Sequence, residues 1–147
     1  MNKLIFSIVL VFGTVYFANA QSNALGLRFN AGYGTGVEAS FQKHLQEVNR
    51  LEFGLGLDLD KALRGAAVYQ WVFDLSQLYQ GFFWYTGVGA GLTLYDGGAD
   101  AGVLGNLGIE YNFDFQLQLS LDIRPGFYLF NSGFWFGGVA LGVRYRF

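Results

Sequence analysis

From residue 24 onward the chain alternates, residue by residue, between a bulky apolar column and a small or polar one. The final stretch, 134–147, shows it most plainly. Its odd positions are Trp135, Gly137, Val139, Leu141, Val143, Tyr145 and Phe147. Its even positions are Phe134, Phe136, Gly138, Ala140, Gly142, Arg144 and Arg146. A period of two belongs to a strand, because successive side chains leave a strand on opposite faces. Extended over most of a chain, that period restricts the fold to sheets whose two faces meet different surroundings.

Eight such segments follow one another, at about 24–33, 36–43, 48–58, 63–74, 80–95, 100–112, 115–130 and 134–147. Short Gly-, Asn- and Asp-bearing turns at 34–36, 59–62, 96–99 and 131–133 join them at one end. Polar turns at 43–47, 76–77 and 112–114 join them at the other. Strands linked by turns this short are antiparallel neighbours. Several run about 9–13 residues, closer to a tilted membrane-crossing strand than to an average globular one. Closing one eight-stranded meander leaves no edge. The expected fold is all-β: an eight-stranded, antiparallel, up-and-down transmembrane β-barrel.

Residue size decides which face is inside. A soluble binding barrel turns its apolar face inward, and a membrane barrel inverts that arrangement. Here the apolar column carries Leu, Ile, Val, Phe, Tyr and Trp on nearly every strand, with 16 Phe, 9 Tyr and 3 Trp in the chain. The other column is largely Gly, Ala, Ser, Asn and Gln with a few long charges. The interior of an eight-stranded barrel just accommodates side chains, so the small column belongs inside and the bulky one in lipid.

Residues 1–20 read as a secretory signal peptide, leaving the barrel domain as 21–147. Lys3 supplies the positive start, 4–17 is apolar apart from Ser7, Gly13 and Thr14, and Ala18-Asn19-Ala20 is a small-x-small cleavage site. Its apolar core is shorter than the ~20 residues of a spanning helix. The absence of Cys excludes a disulfide framework and Cys-based metal sites. A formal net charge of −2 gives no basic surface for nucleic acid.

Strand parity assigns eleven charged side chains to the lumen: Arg28, Glu38, Arg50, Glu52, Asp58, Arg64, Glu110, Asp122, Arg124, Arg144 and Arg146. The signs nearly balance and every cation is Arg, which holds carboxylates bidentately and stays charged when desolvated. If residues 59 and 63 pair across their turn, Asp58 faces Arg64. Arg28, Arg50, Glu52, Glu110, Arg144 and Arg146 are expected toward the end holding both termini. Within the lumen, Glu52, Glu110 and Asp122 are the candidate partners of Arg144 and Arg146. Such a set is either an ion path or a salt-bridge plug; the narrow lumen favours the plug. On the outer face, aromatic girdles are expected. Phe41, Trp71, Phe73, Trp84, Tyr111, Phe113, Phe115, Tyr145 and Phe147 fall near the terminal end, and Tyr33, Phe127 and Trp135 near the other.

With its leader, eight alternating strands and terminal Val139-Ala140-Leu141-Gly142-Val143-Arg144-Tyr145-Arg146-Phe147, the chain resembles the small outer-membrane barrels of the OmpA-barrel and OmpX type. The resemblance implies a Gram-negative outer-membrane location with both termini periplasmic. It implies contact with outer-membrane lipids, periplasmic chaperones and the barrel assembly machinery. Val139, Leu141, Val143, Tyr145 and Phe147 match the C-terminal signal that machinery reads. Members often carry long surface loops for adhesion or receptor roles; the four corresponding turns here are short.

Lipid A deacylases and palmitoyl-transferases share this scaffold, but acyl transfer needs a nucleophile with a base in reach. The one His, His44, is expected in a turn on the periplasmic side, with Ser40 as its nearest Ser. Asp58, Asp60, Asp96 and Asp100 near the outer rim lack the spacing of a calcium loop. Gly87, Gly89 and Gly91 lie in a strand and make no phosphate loop. No catalytic, metal or cofactor site is assigned. The expected role is structural or accessory, with possible envelope protein partners. A porin-like narrow pore or small-ligand transporter and an outer-leaflet lipid-modifying enzyme are the alternatives.

Overall fold

The computed structural model describes residues 23–31, 35–46, 48–59, 62–130, 133–135 and 138–147. Residues 1–22 (which include the expected signal peptide), Tyr33, Asp60, the Trp135 side chain and parts of the turns at 34–36, 59–62 and 131–133 lie outside the described residues.

Ten strands are present among the described residues: β1 Ala24–Ala31, β2 Gly36–His44, β3 Asn49–Asp58, β4 Leu63–Asp74, β5 Phe82–Tyr95, β6 Gly98–Asn112, β7 Leu117–Ile123, β8 Gly126–Tyr128, β9 Gly133–Trp135 and β10 Val139–Arg146. They make an eight-stranded wall. Strands β1 to β6 pair antiparallel in order, β7 follows β6, β10 follows β7, and β10 returns to β1. The closure is tight at the termini, where Asn23 and Phe147 exchange backbone hydrogen bonds of 2.9 Å.

The seventh and eighth wall strands are each broken, where the sequence reads as continuous. Both β7 and β8 face β6 in one register, with Leu107 opposite Ile123 and Leu104 opposite Gly126. Pro125 interrupts the ladder because it has no N–H to give. Its carbonyl still accepts the Gly105 N–H at 2.7 Å.

Between β9 and β10 the register slips. Gly126 is opposite Trp135, yet Ile123 is opposite Val139, so the eighth strand carries one residue more than its partner. An extra residue in one strand is a β-bulge, and Gly138, at φ 65°, supplies the conformation it needs. The bulge corrects the unbroken two-column reading of 134–147. Phe134, expected on the inner column, lies opposite Phe127, and both are exposed on the outer face.

The register fixes the barrel's shape. From Gln118 it runs through Arg144, Gly26, Ser40, Gly54, Ala66, Gly91 and Gly102 to Tyr128, ten residues further along the same wall strand. That stagger over eight strands, at a rise of ~3.3 Å per residue and a spacing of ~4.8 Å, tilts the strands by roughly 40°. The faces separate as parity requires. Leu27 and Phe29 are exposed around buried Arg28, and Leu121 is exposed between buried Ser120 and Asp122.

Two turns differ from expectation. Leu57 pairs with Leu63 and the Asp58 N–H reaches the Ala62 carbonyl at 3.0 Å, so the partner of residue 63 lies two residues from the expected 59. Strand β2 runs through His44, which pairs with Arg50 inside the ladder instead of lying in a turn. At the far end, Tyr95 and Gly98 close a two-residue turn, in which Gly97 takes φ 89°.

Candidate functional site

Inward positions on six strands and the Arg124 break deliver four Arg and four carboxylates to the middle of the lumen. Arg28 holds Asp122 through two nitrogens, one at 3.3 Å and the other closer, and lies 3.7 Å from Glu38. Arg124 bridges Glu38 at 3.0 Å and Glu52. Arg144 reaches the second Glu52 oxygen at 3.3 Å. Arg50 pairs with Glu110 at 2.7 Å. All eight side chains are buried. Paired one for one, four cations against four anions leave the enclosed group neutral, the condition under which ions tolerate removal from water.

Neutral side chains bind the ion pairs into one body. Gln42 donates to Glu52 at 2.6 Å, and Gln70 donates to Asn106 at 2.6 Å while accepting from Arg50 at 2.6 Å. The Tyr85 hydroxyl donates to Asp122 at 2.9 Å, and its ring lies under the Arg50 guanidinium, 4.8 Å from centroid to carbon. Arg144 also donates to Ser40 at 2.9 Å and to Ser120 at 2.7 Å. Parity places these neutral residues inside, but their part in the network was not assigned from sequence. The usable signal for Gln42, Gln70, Ser40 and Ser120 was that each stands two positions along a strand, or directly across one, from an inward charge; Tyr85, opposite Val72 and Gly108, carries no such signal.

Glycine makes the room. A Cβ on Gly54 would collide with the Glu38 carboxylate, and one on Gly108 would meet the Tyr85 ring and the Asp122 Cβ. The Gly-lined half of the lumen is thus where long side chains lie down. Against Gly91 lies Leu104, and against Gly87 lies Val68.

Three of the eleven assigned charges stand apart. Asp58 and Arg64 form their own ion pair, diagonally across the shifted turn, with Arg64 partly exposed. Arg146 does not join the carboxylates: its guanidinium donates to the carbonyls of Phe113, at 2.5 Å, and Phe115, at 3.1 Å. Arg28 meets Asp122 at mid-lumen rather than a group at the terminal end.

Other candidates resolve individually. Asp100 is buried and accepts the backbone N–H groups of Ala101 and Phe130, at 2.9 and 3.0 Å, so it ties down the last loop. Ser40 is taken up by Arg144. His44 lines a cavity at the terminal end. The terminal-side aromatics form contacts on the outer face: Phe73 stacks on Trp84 at 4.5 Å, Tyr111 meets Phe113 edge-on at 4.6 Å, and Tyr145 stacks on Phe147 at 6.4 Å. Phe82, unassigned from sequence, joins them 4.9 Å from Tyr111.

Protein-family profiles and curated proteins give no match to this sequence. Among solved structures, the barrel matches the crystal structure of the N-terminal β-barrel domain of Pseudomonas aeruginosa OprF. The TM-score is 0.70 at 15% identity, covering 86% of this chain and 97% of that one. The closed eight-stranded wall and this likeness together give the chain the fold of the OmpA-type barrels.

Proposed function

We propose that this chain is a small integral outer-membrane barrel with a structural or accessory role, its lumen closed by an internal ion-pair plug. One observation carries the reading: polarity is inverted. Arg50, Glu52, Glu110 and Arg144 are at most 2% exposed, while Leu55, Val103 and Phe127 on the outer wall are at least 53% exposed. A wall of that kind is stable where its surroundings are hydrocarbon. The fold it shares with the OprF barrel supports the same placement.

In this reading both termini face the periplasm, and Val139, Leu141, Val143, Tyr145 and Phe147 form the face presented to the assembly machinery. The last three are exposed on the outer wall with Val139 and Leu141. The filled lumen supports a scaffold or a subunit of an envelope complex over a pore. Ser40, the Ser nearest His44, is buried and hydrogen-bonded to Arg144, which supports a structural part for it in the plug.

Membrane extraction and planar-bilayer recording test the proposal together. The protein should resist alkaline extraction, dissolve in mild detergent and show no steady conductance. Recovery in the aqueous fraction would refute the membrane placement. A stable single-channel step would refute the plug.

A further inference from the structure

A cavity of about 410 Å³ opens at the end of the barrel that holds both termini. Its size falls within the range of small-molecule sites, ~300–1,000 Å³. Its floor is the Arg50–Glu110 pair, 1% and 2% exposed. That pair is incompletely used. Arg50 Nη2 and Glu110 Oε2 find no hydrogen-bond partner among the described residues. The same holds for three more atoms of the lining: Arg146 Nε, Asn112 Oδ1 and Asn23 Oδ1. Buried polar atoms are otherwise nearly always partnered, and a charged one left alone is costly. Five of them around one hollow mark a place built for something polar.

Their pattern says what kind. Two are cationic donors and three are acceptors, one of them a carboxylate. Arg50 and Arg146 are balanced in the lining by Glu110 and Asp74, so a ligand with net charge of either sign gains little over a neutral one. Val48, Val72 and Phe83 give the remaining wall an apolar side.

We infer that this cavity binds a small zwitterion with an apolar side chain: an α-amino acid of the leucine type, or the same group at the N-terminus of a peptide. The carboxylate or first carbonyl lies toward Arg146 and Arg50, the ammonium toward Glu110, Asn112 and Asn23, and the side chain against Val72 and Phe83. The inference requires only the folded barrel and not its placement in a membrane.

Amide-resonance titration of the refolded protein in detergent micelles tests it, with leucine, leucyl-glycine, isocaproate (no ammonium) and isoamylamine (no carboxylate). Leucine or leucyl-glycine should shift Val72, Phe83 and Asn112 saturably. The matching half-ligands should bind at least about tenfold more weakly, the loss of one charge-assisted contact. Tighter binding of leucyl-glycine assigns the site to peptide ends, and tighter binding of leucine to free amino acids; either upholds the charge pattern. Glu110→Gln should weaken leucine and isoamylamine but spare isocaproate. Arg146→Gln should weaken leucine and isocaproate but spare isoamylamine, and it leaves the central ion pairs intact should Glu110→Gln fail to fold. Equal binding of leucine and its half-ligands, or no shift at the cavity with any of the four, would overturn the inference.

Discussion

Glu52→Gln is the most informative single change in the barrel. Glu52 is fully buried and collects four donors: Gln42 at 2.6 Å, Gln70 at 3.4 Å, Arg144 at 3.3 Å and Arg124. The amide keeps the shape and removes one negative charge. The two Arg partners then fare differently. Arg124 keeps Glu38 at 3.0 Å. Arg144 keeps only the neutral oxygens of Ser40, Ser120 and Gln118. Leaving one buried charge uncompensated costs about 3–5 kcal/mol, and Glu52→Gln should destabilise the barrel by that order. Arg144→Gln should cost a similar amount, because Glu38 and Glu52 then share Arg124 and the buried cluster carries one uncompensated negative charge. The double variant restores neutrality, so its cost should stay near that of either single change, giving a coupling the size of one single change, about 3–5 kcal/mol. Urea titration of protein refolded into lipid vesicles, followed by Trp fluorescence and by the mobility shift of the folded band, measures all four corners. Additivity within about 0.5 kcal/mol would refute the argument, because it would mean the two charges do not compensate one another.

Four further outcomes follow from the same geometry. Gly54→Ala sets a methyl into the Glu38 carboxylate and should cost about 1–3 kcal/mol in the same titration. Gly65→Ala on the outer face meets nothing nearer than the Gly54 carbonyl at 4.0 Å, and should be near neutral or slightly stabilising. Leu55→Arg, at a site 60% exposed on the outer wall, should cost about 2–4 kcal/mol in vesicles and much less in a detergent with short chains. Phe147→Ala, which removes the ring stacked 6.4 Å from Tyr145, should lower the yield of folded protein in cells, read by heat-modifiable mobility, more than it lowers stability in vitro.

Parity was readable because it is local. Knowing that Arg28 follows Leu27 and precedes Phe29 is enough to place it inside, and the structure buries it. Pairing was readable for Asp58 with Arg64 and for Arg144 with Glu52; elsewhere it was not, because it depends on the stagger of the closed wall. Arg28 meets Asp122 rather than a terminal-end group, and Arg50 finds Glu110, only once Gln118 and Tyr128 lie one circuit apart. The bulge was hidden for a related reason. Gly138 looks like one more small inner residue, and only the partner strand shows that the count is off by one. Arg146 was placed with the carboxylates by parity alone; the nearby carbonyls of Phe113 and Phe115 belong to a turn whose path the alternation does not encode.

The closed register also dictates when the barrel can form. Glu38 and Glu52 come early in the chain, and the guanidiniums that neutralise them, on Arg124 and Arg144, come near its end, with separations of 86, 72 and 92 residues. A partly synthesised chain therefore holds acidic groups whose counter-charges do not yet exist. A subset of strands without Arg124 and Arg144 leaves Glu52 without its two ion-pair partners. Long-range pairing of this kind makes folding slow and concerted. The ion pairs that close the lumen around Glu52 therefore form only when the seventh and eighth wall strands join the others.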